Sequence, residues 1–121
     1  MSELARRKCV PCQGGIPPLR GRALAKLARE LGGGWRVVRG HHLEKEFASK
    51  DFAEASVFVE RVGALAEKVW HHPDLCFGWG YVRVSIHTHK IGGLSESDFV
   101  LAAKIDALAA RTRRAAPKRR K

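Results

Sequence analysis

Residues 51–70 restrict the fold more than any other stretch of this chain. Phe52, Ala55, Val59, Val62, Ala66 and Val69 recur at steps of three and four, with Phe58 and Leu65 widening the stripe. That period belongs to a helix with one apolar face. Asp51, followed three residues later by Glu54, supplies a capping-box-like start. Pro73 requires the helix to have ended by His72. The period then changes. Over residues 79–88, Val82, Val84 and Ile86 alternate with Tyr81, Arg83, Ser85 and His87, and His89 continues the second parity. This is a strand with one apolar face. Helix and strand each have a face that must be covered by another element.

The rest of the chain offers such elements. Leu24, Leu27, Ala28 and Leu31 keep helical spacing until Gly32-Gly33-Gly34 stops it. Trp35 to Val38 is short, aromatic and β-branched. A second extended stretch follows Arg39-Gly40, with Leu43, Lys45 and Phe47 on one parity and Glu44 and Glu46 on the other. These two form a hairpin with His41-His42 exposed near its turn. Gly92-Gly93 turns the chain after the strand at 79–88. Ser95 with Asp98 then caps a last helix carrying Leu101, Ile105 and Leu108 at i, i+4 and i+7. The expected order is α-β-β-α-β-α, with a fourth short strand around residues 75–79. Hairpin-joined strands separated from long helices predict an α+β fold with helices on one face of an antiparallel sheet.

The chain has 121 residues and a formal charge of +11, and the charge is unevenly placed. Residues 1–30 sum to +5, residues 111–121 to +7, and the stretch between to −1. We therefore divide the chain into an irregular N-terminal arm (1–18), a globular domain (19–110) and a basic C-terminal tail (111–121). The tail RTRRAAPKRRK reads as a solvated, solubilising run, with attraction to an acidic protein partner as the other use of its charge. It carries no interleaved aromatics, so base stacking is not indicated and nucleic acid is not the expected partner. No apolar stretch approaches the ~20 residues of a membrane span. No basic segment followed by an apolar one opens the sequence, so the expectation is a cytoplasmic protein with reduced cysteines. Cys9 and Cys12 have C-x-x-C spacing without a second pair, leaving a structural pair or metal or redox duty open.

Four of the six histidines, His71, His72, His87 and His89, fall within nineteen residues. Two stand at the end of the best helix and two at the end of the best strand. Imidazole both gives and takes protons near neutral pH, so a helix end brought against a strand end would gather an acid–base set around one cleft. Glu67, one turn before His71, and Asp98, at the start of the last helix, are placed to orient rings. No activated serine, glycine-rich phosphate loop or paired-carboxylate signature accompanies them. Two plainer readings stand beside this one. The rings are ordinary surface residues, or His87-x-His89 with His71 or His72 holds a metal. Adjacent histidines diverge and nothing fixes a fourth ligand, so no metal is expected.

Glu67-x-x-x-His71-His72-Pro73, Trp79 after five further residues, His89 after nine more and Asp98 after eight resemble the signature of the pterin-4a-carbinolamine dehydratases. Gly34-Trp35, Glu46-Phe47, Asp51-Phe52, Ala66-Glu67-Lys68, Thr88-His89-Lys90, Gly93-Leu94 and Ser97-Asp98-Phe99 fit the family pattern as well, over roughly residues 19–110. The sequence departs from the usual pattern at Trp70, Cys76 and His87. The resemblance implies a four-stranded antiparallel sheet with helices on one face, assembled as a homodimer or homotetramer. It implies dehydration of 4a-hydroxytetrahydrobiopterin to quinonoid dihydropterin, in tetrahydrobiopterin recycling and with no cofactor. His71, His72 and His89 take the catalytic positions, Glu67 and Asp98 support them, and Trp79 and Pro73 border the pterin. Relatives that work by binding protein, including a RuBisCO assembly factor of carboxysome-bearing bacteria, supply the alternative function.

Overall fold

The computed structural model describes residues 2–9 and 16–115, so Cys12 and the basic run after Ala115 lie outside the described residues. The elements are α1 (Glu3–Arg6), α2 (Gly21–Leu31), β1 (Arg36–Val38), β2 (His42–Ala48), α3 (Phe52–Val69), β3 (Asp74–Gly78), β4 (Tyr81–Ile86), a 3-10 turn (His89–Ile91) and α4 (Glu96–Ala115). The four strands form one antiparallel sheet in the order β1-β2-β4-β3. The fold is α+β. The fourth strand, β3, lies at a sheet edge. Two boundaries differ from the sequence expectation. Part of the N-terminal arm is helical, and the last helix runs five residues past 110. Among the described residues, no helix is long and apolar enough to cross a membrane.

Register sorts the sheet into two faces. Leu43 lies opposite Ile86, Lys45 opposite Val84 and Phe47 opposite Val82, while Leu75 and Phe77 meet Val84 and Val82 from the other side. Leu43, Val82, Val84 and Ile86 are fully buried beneath α3 and α4. The opposite face carries charge. Glu44 and Glu46 of β2 bond Arg36 and Arg83 of the flanking strands. Cross-strand pairs of opposite sign suit a face turned to water.

Helix α3 buries Ala55, Phe58, Val62 and Ala66, so its stripe is centred a little away from the one read from the sequence. Phe52, expected in that stripe, is half exposed and stacks on Phe77 with ring centroids 5.4 Å apart. Helix α4 is buried on more than one side, with Phe99, Val100, Leu101, Ala102, Ala103 and Ile105 all in the core. It contacts α1, α2, α3 and β2. Four residues are too few to hold a helix by local bonds. α1 persists because Leu4 and Ala5 are buried on α4 and Lys104 Nζ donates to the Ala5 carbonyl at 2.7 Å. The incoming chain then passes over Gly93: Leu19 N donates to Leu94 O at 2.8 Å, and a Cβ on Gly93 would lie 2.7 Å from Pro18 Cβ.

Helix α3 ends on Trp70, which adopts φ 57° and ψ 48°, the left-handed conformation usually given to glycine. Its N–H and that of His71 both reach the Ala66 carbonyl. The indole is exposed. Replacing Trp70 by glycine removes a left-handed cost of ~1 kcal/mol. Trp70→Gly should therefore raise the urea midpoint without changing the slope; an unchanged or lower midpoint would contradict this.

Cys9 is half-buried with its Sγ 3.9 Å from the Ser97 carbonyl, and burial pushes its thiol up from the ordinary cysteine range. Cys76 is exposed on the outer sheet face. Because the thiolate is the reactive form, peptide-resolved alkylation should label Cys76 well before Cys9, with Cys9 needing a more alkaline medium. Equal rates near pH 8 would show the Cys9 environment to be open.

Candidate active site

The left-handed turn at Trp70 decides which of two adjacent histidines faces inward. His71 is buried, and its Nε2 lies 2.6 Å from Asp98 Oδ1. His72 points the other way, with Nε2 2.7 Å from Glu67 Oε2 at the exposed end of α3 and the Trp70 ring edge-on at 4.8 Å. Pro73 then turns the chain into β3, holding His72 in an extended conformation.

Asp98 has no exposure to solvent. Its second oxygen, Oδ2, accepts from Thr88 Oγ1 at 2.8 Å, Ser95 N at 2.7 Å and Ser95 Oγ at 3.3 Å. Asp98 is the third residue of α4 and Ser95 precedes that helix, so the bond to Ser95 N is the reaching-back half of a capping box. A carboxylate accepts only, so the His71 nitrogen facing it carries the proton. In the neutral ring, Nδ1 is then the free acceptor. Asp98 thus acts as a helix cap and as the group that sets the His71 tautomer.

Thr88 joins the strand end to this pair. It sits between His87 and His89, is buried and continues the inward parity of Val82, Val84 and Ile86. A polar residue at a core parity was the signal that could have marked it from sequence. His71 and Thr88 share the Asp98 carboxylate, so His89, the next residue, stands one residue from that shared hydrogen-bond centre. The His89 ring is exposed and lies with its centroid 4.0 Å from that of His87. Burial, and then the neighbouring His89 and His41, hold the His87 imidazole below its ordinary range.

The structure therefore links His71, Asp98, Thr88 and the His89 backbone, and pairs His72 with Glu67. It does not bring Trp79 to them. Trp79 occupies the turn between β3 and β4, while His71 and His87 lie at the opposite end of that hairpin. Five residues of strand separate the two ends, roughly 15 Å, and the indole is 74% exposed. Trp79 was expected to border the pterin; the register of the hairpin sets it at the end away from His71 and His87. Pro73 shapes the backbone beside the histidines.

The sequence profile described as pterin 4 alpha carbinolamine dehydratase matches residues 17–108. This chain belongs to that family. A relative from Rubrobacter xylanophilus, named "Putative pterin-4-alpha-carbinolamine dehydratase", is 59% identical over 89% of this chain and 100% of its own length. One of the same name from Alkaliphilus metalliredigens is 49% identical over 88% and 96%. Among solved structures, a transcriptional coactivator/pterin dehydratase from Brucella melitensis superposes with a TM-score of 0.70 at 32% identity, covering 76% of this chain and 98% of that one. A pterin dehydratase-like protein described as a RuBisCO assembly factor of the alpha-carboxysome gives 0.55 at 30% identity, over 65% and 93%. His71 and Asp98 both lie within the residues that the profile matches.

Removing the Asp98 carboxylate would orphan a buried imidazole and a helix N–H together and leave the Thr88 hydroxyl only Ser95 Oγ. Asp98→Ala should lower the unfolding free energy by ~2–6 kcal/mol, about 1–3 kcal/mol for each of the two buried donors left unpaired. Thr88→Val, which keeps the shape and loses the bonds to Asp98 Oδ2 and Ser95 Oγ, should cost about 1–2 kcal/mol. Equal small losses in urea titrations would show that Asp98 is not the centre of this network.

Proposed function

We propose that this chain dehydrates a 4a-hydroxytetrahydropterin, the pterin-4a-carbinolamine, to quinonoid dihydropterin by histidine acid–base catalysis. In the reaction the C4a–O bond breaks, the hydroxyl leaves with an added proton as water, and loss of the N5 proton lets the N5=C4a double bond form. One imidazolium must give a proton and one neutral imidazole must take one. His71 and His89 are assigned these two transfers, and His72 positions the pterin. Asp98 holds the His71 ring in one tautomer, and Glu67 orients His72. No organic cofactor or metal enters the scheme, since the pterin is itself the substrate.

The observation that carries this assignment is the buried 2.6 Å contact between His71 and a fully desolvated carboxylate. A histidine kept merely for surface polarity needs no such partner. Family membership supplies the substrate class. The homodimer or homotetramer implied by the resemblance belongs to the same proposal.

A second function is favoured by the likeness to the carboxysomal assembly factor and by two exposed indoles, Trp70 and Trp79. In it, the chain binds an acidic protein surface such as that of RuBisCO, with its basic ends steering the encounter.

Purified protein should accelerate the decay of 4a-hydroxypterin absorbance, and His71→Ala and His89→Ala should each slow it by at least ~10²-fold, within the usual range for lost acid–base help. Uncatalysed decay in the presence of folded wild-type protein would overturn the dehydratase assignment and leave the binding function.

A further inference from the structure

The outer end of the sheet gathers ligand-bearing side chains, of which the proposed dehydration uses only His89. Asp74, the first residue of β3, lies opposite Ser85 of β4. His87, two residues past Ser85, is its diagonal neighbour on the same face. The chain then turns at Thr88 and returns the His89 ring to His87, centroid to centroid 4.0 Å. As a result a carboxylate oxygen of Asp74 and ring nitrogens of His87 and His89 all lie within 4.8 Å of one another. Asp74 and His89 are exposed and His87 is partly so. The His41 ring also neighbours His87, centroid to centroid 4.6 Å.

We propose that Asp74, His87 and His89 form a binding site for a divalent transition-metal ion of the zinc class, with its fourth position open to water. Two imidazoles and one carboxylate are the borderline nitrogen–oxygen donor set that such ions prefer. Tetrahedral coordination with bonds of ~2.0–2.1 Å places ligand atoms ~3.3 Å apart. The three groups therefore have to close by at most about 1.5 Å, which rotation of exposed side chains supplies without moving the backbone. The spacing of strand and turn, not a chelating sequence motif, assembles the site: Asp74 is thirteen residues from His87 in the chain. This departs from the sequence-based expectation of no metal, which sought its third ligand in His71 or His72. Those two rings are already held by Asp98 and Glu67.

His89 belongs to both proposals, so an ion seated here would withdraw a ring assigned to proton transfer. The metal site itself does not depend on that assignment, and the experiment that tests it reads the ion directly. Titration of full-length protein with Co²⁺, followed by the ligand-field absorption of four-coordinate cobalt, should saturate at one equivalent per chain and be reversed by Zn²⁺. His87→Ala and Asp74→Ala should each weaken binding at least tenfold. The double variant His41→Ala/His42→Ala, which removes the neighbouring pair, should stay within threefold of wild type. Absence of the cobalt spectrum would overturn the proposal, as would affinity unchanged in His87→Ala or lost in the His41/His42 variant. All these side chains sit on the sheet surface, and the far-ultraviolet spectrum of each variant should match that of wild type.

Discussion

A carboxylate taken out of water costs several kcal/mol unless its lone pairs are met by donors. Asp98 meets that demand with an imidazole from the end of α3, a hydroxyl from the end of β4, and a hydroxyl and an N–H from the start of α4. Three elements are thereby obliged to meet at one point. The identity of the inward histidine follows from it, as do the ring nitrogen that bears the proton and the angle at which the strand hands over to the turn. The left-handed Trp70 contributes from the other side, rotating the chain so that His71 and not His72 answers Asp98.

Much of this was legible because it obeys a period. The stripe on α3, the alternation on β4 and the Ser95–Asp98 cap each rest on a few neighbouring residues, and each has its counterpart in the structure. Lys45 shows the limit of a period. Its parity with Leu43 and Phe47 points it beneath the sheet, where a bare ammonium would be costly. Its partner is Asp106, sixty-one residues away at 2.8 Å, which also accepts from Trp35 Nε1 at 3.0 Å. No local pattern announces such a pair. α1 was illegible for a related reason, since its four residues owe their helix to the surface they lie on.

The site was legible as a set of residues before it was legible as a geometry. The family spacing drew His71, His72, His89, Asp98 and Trp79 together, but spacing along a chain says nothing about which end of a hairpin a residue occupies. The pairing of Gly78 with Tyr81 puts Trp79 on the turn, away from the histidines. Asp74 escaped notice for the converse reason. An acid following His-Pro looks like an ordinary strand opening until strand pairing sets it diagonally from His87.

The bonds from Asp106 to Lys45 and Trp35 hold α4 to the sheet eight residues beyond the point where Asp98 holds it to α3 and β4. Two fastenings about two turns apart leave that helix neither a pivot nor a slide. The segments that meet the helix at its first fastening, the 3-10 turn after Thr88 and the Trp70–Pro73 bend, are by contrast short and lie outside the long helices.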